Sequence, residues 1–126
     1  MPHEARALLW DMLDASQFIL DDIEGVTFEE YLSNRRLRQS VERSFMTIGE
    51  AARRLESVDP QLANRIAGLR QIVNFRNVIV HEYDELEQPQ VWEIIKDFLP
   101  QLRDETRKLY ESERDSTESD IDAPLQ

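Results

Sequence analysis

The segment RRLRQSVERSFMTIGEAARRL, residues 35–55, repeats apolar side chains at the spacing of an α-helix. Its apolar positions are Leu37, Val41, Phe45, Ile48, Ala52 and Leu55. Steps of three and four residues keep these side chains on one helix face, which must be buried against another element. Gly49, Ala51 and Ala52 are small enough to let a second helix approach closely. The segment therefore predicts a long helix packed on another helix, and not on a cofactor.

Upstream, the residues before Gly25 show the same period. The apolar face comprises Leu9, Met12, Leu13, Ser16, Ile19, Leu20 and Ile23. Gly25 is the expected stop of this first helix, because glycine readily adopts the conformation that ends a helix. Thr27 and Glu30 then form a capping-box pattern, in which each side chain accepts a backbone N–H at the start of a helix. We expect a short second helix that ends near Ser33.

Downstream, Asp59 and Pro60 predict the start of a fourth helix, since aspartate caps free amides and proline suits the first turn. The expected apolar face comprises Leu62, Ile66, Leu69, Ile72, Val73, Phe75 and Ile79. Gly68 interrupts it at modest cost. After a polar connection at residues 84–88, a fifth helix is predicted from Val91, Ile94, Ile95, Phe98, Leu102 and Leu109. Pro100 is expected to kink that helix, because it cannot donate a backbone hydrogen bond.

These patterns predict an all-α protein, an up-down bundle of four to five helices that occupies residues 1–110. Residues 111–126 are acidic and have almost nothing to bury, so we expect a disordered tail. The chain of 126 residues contains no cysteine, which excludes disulfides and thiolate metal sites. A secretory leader and a membrane-spanning stretch are also missing from the sequence pattern. We expect a soluble, cytoplasmic protein.

Charge is distributed very unevenly along the chain, whose net charge is −11. Residues 1–34 hold eight acids and one arginine, and residues 77–126 hold 14 acids and five bases. Residues 35–76, in contrast, hold nine arginines and four acids. Arginine binds phosphate well, but it binds carboxylates equally well. The arginine block therefore favours a polyanionic ligand, or internal pairing with the acidic flanks.

The arginine block ends in the motif Arg76-Asn77-x3-His81-x-Tyr83. A guanidinium can grip two phosphate oxygens, and an imidazole can move protons near neutral pH. Together they suffice for cutting RNA without a metal. On an ideal helix Asn77 and His81 lie about 40° apart, whereas Arg76 and His81 lie about 140° apart. One straight helix therefore does not bring Arg76 and His81 together. The long arginine could reach around the helix, the helix could unwind near His81, or two copies of the chain could bring their motifs together.

This motif resembles the signature Arg-Asn-x3-His-x-Tyr of HepT-type HEPN ribonuclease toxins. The segments 48–52 (Ile-Gly-Glu-Ala-Ala), 9–13 and 91–100 are similar to other parts of the same family, so the resemblance covers roughly residues 6–109. The chain departs from the family pattern at Glu82 and Asn74, where many relatives carry glycine. The resemblance implies a HEPN-like bundle that forms a homodimer with a composite cleft.

The same resemblance implies the chemistry and the partners. His81 would be the acid or base in RNA transesterification, Arg76 would stabilise charge on the phosphate, and Asn77 would orient the imidazole or a phosphate oxygen. No cofactor or metal is expected, since His3 and His81 are too far apart in sequence to form a metal site. An MNT-type nucleotidyltransferase antitoxin is the implied partner, and adenylylation of Tyr83 the implied means of neutralisation.

Two other interpretations remain open at this point. Arg76 and His81 are structural in the simplest one, as a helix-end ion pair and a cap of the last carbonyls. Glu50 likewise either forms a surface ion pair with Arg53 and Arg54 or faces the cleft and holds Arg76. In the second interpretation the protein is a noncatalytic helical module that complexes with a nucleotidyltransferase and helps it bind substrate.

Overall fold

The structure is a computed structural model that describes the backbone of residues 3–122 and the side chains of residues 3–112. Every secondary-structure element in that part of the chain is helical, which confirms the all-α class. The elements are α1 (His3–Asp22), α2 (Phe28–Ser33), α3 (Arg35–Val58), α4 (Pro60–Ala63), α5 (Leu69–His81), a 3-10 turn (Tyr83–Glu85), α6 (Gln88–Glu93), a π turn (Ile94–Phe98) and α7 (Leu99–Asp122).

Local capping signals are found where the sequence predicts them. The Thr27 hydroxyl accepts a hydrogen bond from the Glu30 backbone N–H, and the Glu30 carboxylate accepts one from the Thr27 N–H. Gly25 follows α1 with a φ of 74°, a conformation that glycine adopts without strain. Asp59 caps the next helix by accepting from the Leu62 N–H. These boundaries depend only on neighbouring residues, and all three are confirmed.

The predicted fourth helix is wrong in one respect, because it is two helices, α4 and α5, separated by residues 64–68. Residues 67 and 68, within this break, contact Glu105 and Phe98, which lie much later in the chain. The Ala67 N–H donates to the Glu105 carboxylate of α7 at 3.1 Å. A Cβ on Gly68 would lie 2.4 Å from the Phe98 ring, so any other residue here would have to displace that ring. Tertiary contacts therefore override the continuous helical pattern.

The predicted fifth helix is interrupted just before Pro100. Over residues 94–98 it widens into a π turn, in which the Leu99 N–H donates to the Ile94 carbonyl, five residues back. Pro100 lacks an N–H and its ring crowds the preceding turn, which accounts for the irregular geometry at this position. The helix continues as α7 beyond residue 110, the predicted domain boundary, to Asp122. Residues 123–126 of the predicted tail lie outside the described residues.

Helix α3 is the centre of the packing, with α1 and α5 against it, and α7 packs on α1. Its predicted stripe is buried, except for the partly buried Leu37 at its start. The rings of Phe45 on α3 and Phe75 on α5 meet edge to face, with centroids 5.0 Å apart. This contact fixes the rotation of α5 about its axis and so the direction of the residues beside Phe75. No helix within residues 3–122 is long and apolar enough to cross a bilayer.

Candidate active site

Arg76 lies where α5 approaches α3 most closely. A Cβ on Gly49 would be only 2.1 Å from the Arg76 Cβ, so the absence of a side chain on α3 is what admits this arginine. Gly49 thus permits a close helix contact, as the sequence predicts, and the helix that it contacts is α5, which carries the motif. The backbone of α3 thus sets the position of the Arg76 stem.

The Arg76 guanidinium is held between two acceptors. It donates to the Asn77 side-chain oxygen at 3.0 Å and pairs with the Glu50 carboxylate at 3.3 Å. Only 21% of the Arg76 side chain is exposed. The alternative in which Glu50 faces the cleft and holds Arg76 is therefore the observed one. Asn77 orients the guanidinium, instead of the imidazole or phosphate oxygen expected from the sequence.

Glu50 is shared between Arg76 and Arg53. Arg53 donates two hydrogen bonds to the carboxylate, at 2.7 and 3.1 Å, so the surface ion pair expected from the sequence exists as well. The hydrogen bond from Arg53 is the main reason that the pKa of Glu50 is lowered, and the positive charges of Arg53, Arg76 and Arg54 add to it. Glu50 is therefore a carboxylate with a second cation available if Arg76 turns to another anion.

A groove of about 810 Å³ runs along α3 between α1 and α5. Its charged lining comprises Asp11, Glu42, Arg43, Glu50, Arg54 and Arg76. Its apolar lining comprises Leu8, Met46, Ala51 and Ile79. Other members of the arginine block pair with acids away from it, as Arg70 does with Glu56 at 2.7 Å. Glu56 belongs to the block itself, whereas Arg54, which lines the groove, pairs with Glu4 of the acidic N-terminal flank at 2.7 Å. Pairing with the flanks is thus observed at Arg54, and a polyanionic ligand stays a prediction.

His81 is the last residue of α5, and its side chain is exposed. It is not among the groove-lining residues in the described part of the chain, and its side chain has no ion pair or hydrogen bond there. The structure thus brings Arg76, Asn77 and Glu50 together but leaves the imidazole at the helix end, as the 140° separation on an ideal helix leads one to expect.

Tyr83 lines the other end of the groove. The ring is 54% exposed, as its position past the helix end predicts, but its hydroxyl is engaged. It donates to the Glu42 carboxylate at 2.8 Å, and this hydrogen bond is the main cause that raises the pKa of Tyr83 above its ordinary value. Burial of the hydroxyl raises the pKa of Tyr83 further.

Glu42, Gln88 and Tyr31 were missed by the sequence reasoning. The Gln88 amide donates to the second oxygen of Glu42 at 3.0 Å, and the Tyr31 hydroxyl donates to the Gln88 amide oxygen at 2.6 Å. One signal for Glu42 was present in the sequence. It lies two helical turns before Gly49 on the face of α3 that meets α5, next to the buried Val41, where a charged residue is unusual.

Within the described residues, no three or more His, Cys, Asp or Glu side chains are grouped so that they could hold a metal ion. The polar groups that line the groove are guanidinium, carboxylate, amide, hydroxyl and phenol.

Comparison with known proteins gives a consistent picture. The profile of the family described as "Ribonuclease HepT-like" matches residues 12–109. A "Putative RNase" of Methanocaldococcus jannaschii is 24% identical over 102 residues, which is 81% of this chain and 93% of that protein. A "Probable ribonuclease HepT" of Thermococcus cleftensis is 24% identical over 109 residues, 86% of this chain and 98% of that protein. No solved structure matches the chain.

Proposed function

Because this chain belongs to the HepT-like ribonuclease family and is an endoribonuclease, we propose that it is the toxin of a HEPN/MNT toxin–antitoxin system that cleaves RNA in the cytoplasm without a metal. The observation that carries the proposal is the Arg76 guanidinium, which is part-buried, oriented by Asn77 and directed to an open groove. A fixed cation in such a position stabilises the charge that develops on a phosphate.

The proposed reaction is an internal transesterification. The ribose 2′-oxygen bonds to phosphorus as the bond to the 5′-oxygen breaks, which leaves a cyclic phosphate end. His81 accepts the proton of the 2′-hydroxyl or donates one to the leaving oxygen, a contribution typically worth about 10²–10⁴ in rate. Arg76 stabilises the pentavalent phosphate. Glu50 then loses its contact with Arg76 and keeps its ion pair with Arg53.

A composite cleft between two copies is the arrangement that fits these side chains. In a single chain Arg76 lines the groove, whereas His81 is exposed at the end of α5 outside that lining. A partner copy related by a twofold axis would bring a second motif to the same cleft, because such an interface repeats each contact. The homodimer is therefore part of the proposal.

An MNT-type nucleotidyltransferase antitoxin is the proposed partner, and Tyr83 the proposed site of adenylylation. The Tyr83 ring is accessible, and its hydroxyl lies in the same groove as Arg76. A nucleotide on this oxygen would add bulk and negative charge to that groove, and so compete with RNA for Arg76. Intact mass after incubation with the antitoxin and ATP tests this step, since an unmodified Tyr83 contradicts it.

The cleavage proposal is tested with a single-stranded RNA in the presence of EDTA. We expect cleavage to persist, the products to carry cyclic phosphate, and the His81→Ala variant to lose about 10²–10⁴ in rate. Unchanged activity in His81→Ala would contradict the role given to the imidazole. A tight complex with the nucleotidyltransferase, with no cleavage by the wild type, would instead favour the noncatalytic binding module.

A further inference from the structure

Glu42 is a buried carboxylate to which the proposed reaction gives no role. The residue is only 6% exposed. Within the described residues none of the ion pairs involves it, and its two oxygens each accept one hydrogen bond from a neutral donor, Tyr83 and Gln88. A carboxylate removed from water without a cationic partner is an unfavourable element of a folded protein. Its presence at the groove therefore calls for a role beyond packing.

The two donors stand at the two ends of the segment that follows the motif. Tyr83 opens the 3-10 turn, and Gln88 is the first residue of α6. Both side chains donate a hydrogen bond to Glu42 on α3. The segment between them is therefore held against that helix at both ends. Only Glu82 separates this turn from His81. The position of the turn consequently limits where the end of α5 can lie.

The direction of each hydrogen bond in this chain of side chains is defined. Tyr31, which is fully buried, donates to the Gln88 amide oxygen. The amide nitrogen of Gln88 must then face Glu42, which leaves the other carboxylate oxygen for the Tyr83 hydroxyl. A carboxylate is the side chain that can accept on both of its ends, and an amide of the same shape cannot.

We propose that Glu42 is a positioning residue, which holds Tyr83 and Gln88 against α3 and thereby fixes the end of α5 that carries His81. The inference rests on the ribonuclease function proposed above. A displacement of about 1 Å in a reacting group is enough to lower a rate by about 10²-fold. Glu42 thus acts on the reaction through the 83–88 segment, without contact with RNA.

The experiment compares Glu42→Gln, Tyr83→Phe and the double variant in the full chain. We expect each single substitution to lower kcat by about 10- to 100-fold with little change in KM, since Arg76, the proposed phosphate-binding group, is untouched. The double variant should be no slower than the slower single variant, because both substitutions break the same link. Glu56→Gln is the matched control on the same helix and should cleave like the wild type.

Histidine NMR supplies a local readout that loss of stability alone would not produce. The chain has two histidines, so His3 serves as the internal reference for His81. We expect the ring signals of His81, and not those of His3, to shift in Glu42→Gln and in Tyr83→Phe. Should Glu42→Gln fail to fold, Tyr83→Phe carries the test alone, because this tyrosine is half exposed and its ring is retained.

The outcomes separate this inference from the proposed function. A wild type that does not cleave RNA overturns the ribonuclease mechanism together with this inference. A wild type that cleaves, with folded variants that keep its kcat, with rate losses that multiply in the double variant, or with an unmoved His81 signal, overturns the role of Glu42 alone.

Discussion

Two glutamates on α3, about two turns apart, line opposite ends of the same groove and are held in opposite ways. The Glu50 side chain is 38% exposed and pairs with two arginines. Glu42 is 6% exposed and accepts from a phenol and an amide. Positive charges therefore neutralise the Glu50 carboxylate, whereas two hydrogen bonds from neutral donors hold the Glu42 carboxylate in place.

The comparison indicates which end of the groove can adjust to a substrate. Arg76 can leave Glu50 for a phosphate, because Arg53 already donates two hydrogen bonds to that carboxylate. The Glu42 end offers no such exchange, since moving one donor leaves a buried oxygen unpaired. The Arg76 end is therefore suited to binding an anion, and the Tyr83 end to holding a fixed shape.

Among changes at the two ends of the groove, removing the guanidinium of Arg76 should have the largest effect. We expect Arg76→Ala to lower kcat/KM by about 10²–10³, because a positioned charge donor contributes that much to transition-state stabilisation. The measurement is cleavage of a single-stranded RNA. Arg70→Ala removes the same charge from an ion pair outside the groove, and it should retain wild-type activity. Equal losses in both variants would mean that net charge, and not position, matters at this end.

Gly49→Ala tests whether the close approach of α3 and α5 positions Arg76. The new Cβ would lie 2.1 Å from the Arg76 Cβ, so the helices must separate. We expect a loss of about 1–3 kcal/mol in the free energy of unfolding, measured with denaturant, and a loss of cleavage by the folded protein. Gly68→Ala is also crowded, but by the tip of the Phe98 ring, with 2.4 Å between the new Cβ and the nearest ring atom. It should lose stability while the folded fraction cleaves normally, and the opposite pattern would refute the role of Gly49.

Much of the fold follows from local sequence signals. The stop at Gly25, the capping box at Thr27 and the Asp59 cap each depend on residues within one turn, and each is observed. The break between α4 and α5 depends on Glu105 and Phe98, which are distant in sequence. A helical period cannot reveal a contact made by another helix, and so the two helices were predicted as one.

The candidate site divides in the same way. Arg76, Asn77 and Glu50 were predicted, because a motif and a neighbouring small-residue segment mark them. The Glu42 end was missed, since its hydrogen bonds join residues on α2, α3 and α6 that no spacing rule connects. His81 was predicted as well, but it lies at the end of α5 outside the groove lining, in agreement with the 140° separation from Arg76 on an ideal helix.

Acid stability should show that Glu50 is the replaceable carboxylate. Its pKa is lowered in the folded state, so its contribution to stability is present above the unfolded value of 4.5 and is lost as pH falls through the folded value. Glu50→Gln should therefore lose stability less steeply than the wild type as the pH falls below 4.5. Thermal unfolding from pH 7 to pH 3 measures this, and identical acid limbs would contradict the assignment.

Alkaline titration should show the smallest effect, at the Glu42 end. The hydrogen bond to Glu42, followed by burial, raises the pKa of Tyr83, and the nearby Arg38 and Arg35 oppose that rise. The stability linked to Tyr83 is thus fully present below its unfolded pKa of 10.0 and is lost as pH rises through the folded value. Between pH 10.0 and the folded pKa of Tyr83, the wild type should lose stability faster than Tyr83→Phe. The difference in ultraviolet absorbance between these two proteins during an alkaline titration reports the ionisation of Tyr83 alone. In a Glu42→Gln background, Tyr83 should ionise at a lower pH. If Tyr83 titrates at the same pH in both backgrounds, its hydroxyl is not held by Glu42, and the contrast between the two glutamates fails.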